Sequence, residues 1–166
     1  MAPPSSSAGP RVLGIDPGTR VVGYALVEAR GRAAFRYLEC GVIRPRAADL
    51  ADRILEIAAD MEEVIDAFEP AELAIERAFA GKNAQSALKL GQARGALVLA
   101  ARRRGLSVFE YAPAAVKRAV AGHGRAPKRA MQERVAFLCG LASLPPADAA
   151  DALALAICHV FGRGAA

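Results

Sequence analysis

The stretch "VLGIDPGTRVVGYALVEA", residues 12–29, places an aspartate between a short apolar run and a Pro-Gly turn. Apolar and small residues alternate on both sides of this turn, a pattern typical of two strands joined as a hairpin. Because side chains alternate across a strand, Gly14 and Asp16 share one face while Leu13 and Ile15 share the other. Asp16 therefore ends the strand on the face that carries the small residue, and not on the face that carries Leu13 and Ile15.

The length and composition of the chain predict a single globular domain. The chain has 166 residues, of which 54% are hydrophobic, too large a fraction for a disordered protein. We expect one folded domain over residues 11–162, a disordered tail over residues 1–10 and a short C-terminal tail over residues 163–166. No apolar run reaches the 18 or so residues of a membrane span, so the sequence predicts no membrane association.

Charge and cysteine usage favour a polyanionic partner and a reducing compartment. Lysine and arginine outnumber aspartate and glutamate by 22 to 17, a net charge of +5, which favours binding to nucleic acid. The three cysteines, Cys40, Cys139 and Cys158, lie in apolar stretches without the CxxC spacing of a metal site. We therefore expect free thiols and a cytoplasmic location.

The order of the predicted elements indicates an α/β fold. Three strands, joined as an antiparallel meander, are followed by strands that alternate with helices, a pattern of parallel strands. The result is a mixed five-stranded sheet, three antiparallel then parallel strands, with helices on both faces. The predicted strands cover residues 11–16, 20–29, 33–43, 71–76 and 106–111, and the predicted helices cover residues 47–68, the segment from Asn83 to Arg104 and two or three helices within 113–162.

A second strand also ends in a carboxylate. In "AELAIE", residues 71–76, Ala74 and Glu76 share the small-residue face, opposite Leu73 and Ile75. Small residues allow a helix to lie close to this face. Both strands are therefore predicted to present a carboxylate beneath a closely packed helix.

The alanine-rich segment of residues 145–161 is the candidate for that helix. Asp148 and Asp151 are three residues apart on it, which separates them by about 60° around the axis and about 4.5 Å along it. They share one face. If the helix crosses the ends of the two strands, four carboxylates converge.

Four converging carboxylates repel one another strongly unless cations neutralise them. Oxygen ligands suit Mg²⁺, with Mn²⁺ as a substitute, and two such ions about 4 Å apart can catalyse phosphodiester hydrolysis. Each aspartate also has a simple structural explanation, since Asp16 can begin an Asx-Pro turn, Asp148 can cap a helix and Asp151 can complement the helix dipole. The shared strand faces favour the metal site, with Asp16, Glu76, Asp148 and Asp151 as ligands.

Four segments of the chain closely resemble the RuvC family of Holliday junction resolvases, in the same order and with similar separations. They are "GIDPGTRVVGYALVE", "AIERAFAGKNAQSALKLGQARGALVLAA", "FEYAPAAVKRAVAGHGRAPK" and "PPADAADALALAICH", and the resemblance spans roughly residues 11–161. The resemblance implies a ribonuclease H-like fold, a homodimer and Mg²⁺-dependent nicking of opposed strands of a four-way DNA junction. It also implies cooperation with the branch-migration proteins RuvA and RuvB.

The resemblance assigns roles residue by residue. The four catalytic carboxylates correspond to Asp16, Glu76, Asp148 and Asp151, and two lysines that assist the transition state and hold DNA phosphate correspond to Lys117 and Lys128. An aromatic residue that contacts bases near the crossover corresponds to Phe79. Basic residues between 117 and 134 directly precede the carboxylate helix, so we expect a phosphate-binding rim. The predicted DNA-binding set is Phe79, Lys82, Lys117, Arg118, Arg125, Lys128 and Arg129.

Other interpretations of the sequence stay open. "GIDPGTR" is also compatible with the first phosphate loop of an actin-like kinase or ATPase, although 166 residues supply neither its second domain nor its second glycine-rich motif. A ribonuclease H-like nuclease on structured RNA and a junction-binding protein without activity are further alternatives. His159 is predicted to be structural, and no role is assigned to His123. The helix from Asn83 to Arg104 is predicted to form a two-fold dimer interface.

Overall fold

The computed structural model describes residues 9–31, 33–77 and 83–163. Within them the chain forms five strands and five helices. In chain order they are β1 (Arg11–Asp16), β2 (Val22–Ala29), β3 (Phe35–Ile43), α1 (Leu50–Phe68), β4 (Glu72–Glu76), α2 (Ala84–Arg103), β5 (Ser107–Tyr111), α3 (Pro113–Ala121), α4 (Lys128–Cys139) and α5 (Ala147–Gly162).

The strands form one mixed sheet in the order β3-β2-β1-β4-β5. β2 is antiparallel to both β1 and β3, whereas β4 is parallel to β1 and β5. This is the predicted arrangement of three antiparallel strands followed by parallel ones. Parallel neighbours bring the ends of β1 and β4 to the same edge of the sheet, which we call the acidic edge because β1 ends at Asp16 and β4 at Glu76.

Helix boundaries follow the capping residues. The segment of residues 47–68 was predicted to be helical throughout, but α1 begins at Leu50 because the Asp49 carboxylate accepts a hydrogen bond from the Ala51 N–H at 2.8 Å. Asn83 caps α2 as predicted, accepting from the Ser86 N–H at 3.2 Å. Three helices, α3, α4 and α5, fill the C-terminal segment.

Each face of the sheet has its own core, as the alternation of side chains predicts. Leu13, Ile15, Leu73 and Ile75 pack with α1 and α2 on one face. On the other face, the small and apolar residues of β1, β2 and β4 pack with α3, α4 and α5. Helices therefore cover both faces, and the small-residue face is the one beneath α5.

Glycine allows the backbone of α5 to contact the sheet directly. A Cβ atom at Gly14 would lie 2.1 Å from the carbonyl oxygen of Ala152, and one at Gly23 would lie 2.0 Å from that of Asp148. Both obstacles are main-chain atoms, so a side chain at either position would force the helix away. Because Gly23 pairs with Asp16 across the β1–β2 ladder, these contacts place the first turn of α5 over the acidic edge.

Backbone pairing extends beyond the predicted start of the domain at residue 11. The Gly9 N–H donates to the carbonyl oxygen of Ala29, and the Ala29 N–H donates to that of Pro10, each at 3.1 Å. Residues 1–8 and 164–166 of the predicted tails lie outside the described part of the chain.

His159 has the structural role predicted for it. Its ring is buried, with the Tyr111 hydroxyl at Nδ1 and the Glu72 carboxylate 2.8 Å from Nε2. The ring of Phe109 packs against it with a centroid distance of 4.5 Å. These contacts attach the C-terminal half of α5 to β4 and β5, and so hold its carboxylate-bearing first turns in place.

No helix in the described ranges combines the length and the hydropathy that crossing a membrane requires.

Candidate active site

Asp16 and Glu76 are neighbours at the acidic edge. Ile15 pairs with Ile75 in the parallel β1–β4 ladder, and the two carboxylate residues follow directly. Adjacent strands lie about 4.8 Å apart, so the two side chains project from neighbouring positions on the face that α5 covers. Both are half-buried.

α5 contributes the other two carboxylates from its first turns. The helix begins after Pro146, and the structure shows no side-chain hydrogen bond capping it. Capping therefore does not account for Asp148. Asp148 and Asp151 are half-buried residues on an otherwise buried helix, one turn apart, where α5 crosses the start of β2 and the end of β1.

The electrostatics of Asp16 show that the four carboxylates act on one another. Burial, followed by repulsion from Asp151, Asp148 and Glu76, raises the pKa of Asp16 to about 7. The positive charge of Lys128 opposes it. Burial and neighbouring negative charge both make this carboxylate difficult to ionise, and a bound cation would relieve the repulsion.

Two lysines provide positive charge beside the cluster. Lys128 Nζ lies 3.2 Å from Asp151 Oδ2, and this contact raises the pKa of the lysine. Burial and Asp151 raise the pKa of Glu76, whereas Lys117 lowers it. Lys117 and Lys128, on α3 and α4, thus face the carboxylates as the resemblance implied.

Two cavities flank the carboxylates. One, of about 300 Å³, is lined by Glu76 and Asp151 together with Lys117 and Lys128. The other, of about 220 Å³, lies on the α2 side and is lined by Asp16 and Glu76 together with Ala87, Leu90, Gly91 and Arg94 of that helix. Glu76 borders both cavities, so an extended substrate strand has space on each side of the carboxylates.

The donor set fits hard divalent cations. Carboxylate oxygens from four side chains are the ligands that Mg²⁺ and Mn²⁺ prefer, and lysine side chains alongside suit an anionic substrate. Within residues 9–31, 33–77 and 83–163, no group of three or more His, Cys, Asp or Glu side chains lies close enough together to hold a metal ion. Asp151 is paired with Lys128, so a metal ion held by this carboxylate would have to displace the lysine from it.

The other predicted DNA-binding residues fall into three groups. Phe79 and Lys82 lie outside the described residues. Arg118 and Arg125 are exposed but do not line either cavity. Arg129 is exposed and forms an ion pair with Glu133, one turn further along α4, at 2.7 Å. Among the members of this set that the structure describes, Lys117 and Lys128 are the ones that line a cavity together with the carboxylates.

Arg94 also lies at the site, although no sequence pattern singled it out. Its Nε donates to the main-chain oxygen of Glu76 at 3.3 Å, and its Nη2 donates to Glu110 at 2.7 Å. The residue thereby joins the ends of β4 and β5 and lines the smaller cavity. Its signal was weak, since a single arginine on an amphipathic helix usually faces solvent.

The mixed sheet with a carboxylate-bearing edge defines a ribonuclease H-like protein, and comparisons with known proteins give the family. The sequence profile described as "Crossover junction endodeoxyribonuclease RuvC" matches residues 12–159. A relative of that name from Actinobacillus succinogenes is 51% identical over 148 residues, covering 89% of this chain and 77% of the relative. Another, from Shewanella frigidimarina, is 50% identical and covers 89% of this chain and 85% of the relative.

Solved structures of Holliday junction resolvases have the same fold as this chain. Thermus thermophilus RuvC in complex with a Holliday junction substrate superposes with a TM-score of 0.87 at 36% identity, covering 94% of this chain and 96% of that one. The yeast mitochondrial Holliday junction resolvase Ydc2 shares the fold, with a TM-score of 0.66 at 14% identity over 94% of this chain and 80% of that one. This chain belongs to the RuvC family of crossover junction endodeoxyribonucleases.

Proposed function

We propose that this protein resolves four-way DNA junctions by paired, symmetric nicking, through metal-dependent hydrolysis of phosphodiester bonds. The observation that carries the proposal is the meeting of Asp16, Glu76, Asp148 and Asp151 at one edge of the sheet, with Lys117 and Lys128 beside them. The family to which the chain belongs supports the same activity.

We propose Mg²⁺ as the natural cofactor, two ions in each site, with Mn²⁺ able to substitute. The carboxylates of Asp16, Glu76, Asp148 and Asp151 would hold these two ions. Bound divalent cations would activate the attacking water and stabilise the negative charge that develops on the leaving oxygen.

The lysines have a separate task. Lys117 lines the larger cavity together with Lys128, and each would place an ammonium group against a phosphate oxygen of the bound strand. Lys128 also keeps Asp151 in position before the substrate arrives, through the 3.2 Å ion pair. Phosphate contacts of this kind hold the strand in register without reading its sequence.

A homodimer is part of the proposal, because a substrate with two-fold symmetry calls for two related active sites. α2 presents an exposed stripe to solvent, with Leu88 and Leu99 67% and 59% exposed. Gly91 and Gly95 lie between them, and a Cβ at either would meet nothing within 4 Å. Glycines on an exposed apolar stripe allow a second helix to approach closely, so the α2 helices of two copies would form the interface.

Two further statements follow from family membership and composition. The partners RuvA and RuvB, proposed from the resemblance, would be tested by co-purification with the junction-bound enzyme.

We place the enzyme in the cytoplasm with its DNA substrate, because Cys40, Cys139 and Cys158 are all free thiols, as is usual in a reducing compartment.

The proposal is tested by incubating the protein with fixed and mobile four-way junctions in Mg²⁺ or Mn²⁺ and mapping the cuts on each labelled strand. We expect nicks at symmetric positions on opposed strands, and none in a linear duplex of the same sequence. Preferential cleavage of a structured RNA would favour the ribonuclease alternative. ATP binding would favour an actin-like domain.

A further inference from the structure

A recess at the acidic edge, on the side away from Lys117 and Lys128, is lined by arginines from three different elements. Its volume is about 500 Å³ and its charged lining consists of Arg20, Arg44, Arg46 and Arg53. We call it the arginine recess. None of these four residues belongs to the predicted DNA-binding set, and they are not adjacent in the sequence.

Strand register places the recess at the same edge as the carboxylates. Val22 begins β2 and pairs with Ile43, which ends β3. Arg20 lies just before Val22 in the sequence and Arg44 just after Ile43. Both arginines therefore lie at the edge of the sheet where β1 ends at Asp16. β3 is two strands from β1, a separation of about 10 Å. Lys117 and Lys128 lie on α3 and α4, which cover one face of the sheet, whereas Arg53 lies on α1, which covers the other.

The positive charge of the recess is largely uncompensated. All 17 aspartate and glutamate side chains belong to the described residues, and none lies within 4.0 Å of the guanidinium groups of Arg20, Arg44, Arg46 or Arg53. Three of the four side chains are exposed, and Arg53 is half-buried. A concentration of one sign of charge in a recess attracts a polyanion.

The nearby carboxylates are engaged by main-chain groups. Glu56 accepts hydrogen bonds from the N–H groups of Arg46 and Ala47, at 2.6 and 3.3 Å. Asp49 caps α1. Its pKa is lowered mainly by main-chain hydrogen bonds and to a smaller extent by the positive charge of Arg53. These two carboxylates stabilise the loop before α1 and leave the recess with a net positive charge.

Arg53 provides a second, independent observation. Its Nη1 donates to the carbonyl oxygen of Ala48 at 2.7 Å, which fixes the guanidinium in the wall of the recess. Its Nε is buried and has no hydrogen-bond acceptor among the described residues. A buried N–H without an acceptor costs free energy, so Arg53 gains if the guanidinium turns towards an anionic oxygen in the recess.

We propose that the arginine recess binds backbone phosphates of the DNA, on the side of the cut opposite to Lys117 and Lys128. This inference rests on the proposed junction cleavage. At 3.4 Å of rise per nucleotide, a separation of about 10 Å places the bound phosphates about three nucleotides from the cut. Positive charge on both sides of the acidic edge would hold the strand across a site whose own carboxylates repel it.

The test measures binding of a fixed four-way junction in EDTA, where no cleavage competes, as a function of salt. Arg20 and Arg44 are substituted by alanine singly and together, since their side chains are exposed and their removal should leave the fold intact. The matched control is Arg103→Ala, which removes one exposed positive charge at the opposite edge of the sheet, next to the start of β5.

We expect each single variant to lower the slope of log affinity against log salt by about 0.9, and the double variant by about twice that. The double variant should bind about tenfold more weakly at moderate salt, since each phosphate contact contributes about threefold. Arg44→Lys should bind nearly as well as the wild type, because it retains the charge. Arg103→Ala should leave the slope unchanged.

Ethylation interference locates the contact. In the double variant, interference should disappear at phosphates about three nucleotides to one side of the cut, and persist on the other side. An unchanged salt slope, or an equal loss in Arg103→Ala, would overturn the inference. Because the wild-type protein is tested for cleavage separately, failure of the recess is distinguishable from failure of the proposed function.

Discussion

Lys128 Nζ and Asp151 Oδ2, on neighbouring helices, lie 3.2 Å apart at the acidic edge. The pair joins the basic side of the cavity to the carboxylate cluster. We expect Lys128→Ala to lower junction cleavage about tenfold or more, because the variant loses a phosphate contact and a positive charge that offsets the four carboxylates. Cleavage rates at saturating Mg²⁺ measure the effect.

Stability should hardly change in Lys128→Ala. An exposed ion pair contributes at most about 1 kcal/mol, so the melting temperature should stay within a few degrees of the wild type. Arg103→Ala is the control for a general loss of positive charge. Unaltered cleavage in Lys128→Ala would show that the lysine does not take part.

Close packing between Gly14 and α5 is a second point at which the account can be tested. In Gly14→Ala the new Cβ would lie 2.1 Å from the Ala152 oxygen and 3.0 Å from the Ala156 nitrogen, both main-chain atoms of α5. We expect a loss of about 1 to 3 kcal/mol in the free energy of unfolding, measured in urea, and a loss of cleavage as Asp148 and Asp151 move.

Gly162→Ala is the matched control for Gly14→Ala, since a Cβ at this end of the same helix would meet nothing within 4 Å. It should be neutral or slightly stabilising. A Gly14→Ala variant as stable and as active as this control would contradict the direct contact between the backbone of α5 and the sheet.

Dimerisation through α2 predicts that Leu99→Glu yields a monomer in light scattering, because it places a charge on the exposed stripe. Phe137→Glu is the control, since Phe137 is 75% exposed on α4, on the opposite side of the sheet. It should remain dimeric. A wild-type protein that is monomeric at micromolar concentration and fully active would contradict the interface.

Phe79, in the segment outside the described residues, remains a prediction from the sequence. We expect Phe79→Ala to lower junction cleavage about tenfold or more, since stacking on an unpaired base contributes about 1 to 3 kcal/mol. Its melting temperature should be unchanged. A phenylalanine buried in the core would instead cost about 3 to 5 kcal/mol of stability when truncated, with cleavage by the folded protein intact.

Much of the site could be predicted because it depends on local periodicity. The alternation around Gly14 and Ala74 assigned Asp16 and Glu76 to the correct face, and helical spacing placed Asp148 and Asp151 together on α5. These patterns extend over only a few residues, so neighbouring residues in the sequence determine them.

Arg94 and the arginine recess could not be predicted in the same way. Arg94 matters because α2 crosses the end of β4, and the recess forms because the ends of β2, β3 and α1 meet. Such contacts depend on tertiary packing between distant segments. Arg129, which the basic run predicted to bind DNA, forms an exposed intrahelical ion pair with Glu133, and its DNA contact stays a prediction.

The most direct test of the central claim is cleavage of a labelled four-way junction by the wild-type protein and by Asp16→Asn in Mg²⁺, with binding measured in parallel. We predict paired nicks at symmetric positions for the wild type. Asp16→Asn should produce no detectable nicks yet bind the junction within about threefold of the wild type, because it loses a metal ligand and keeps the basic surface. Nicking by Asp16→Asn at the wild-type positions and rate would contradict the account.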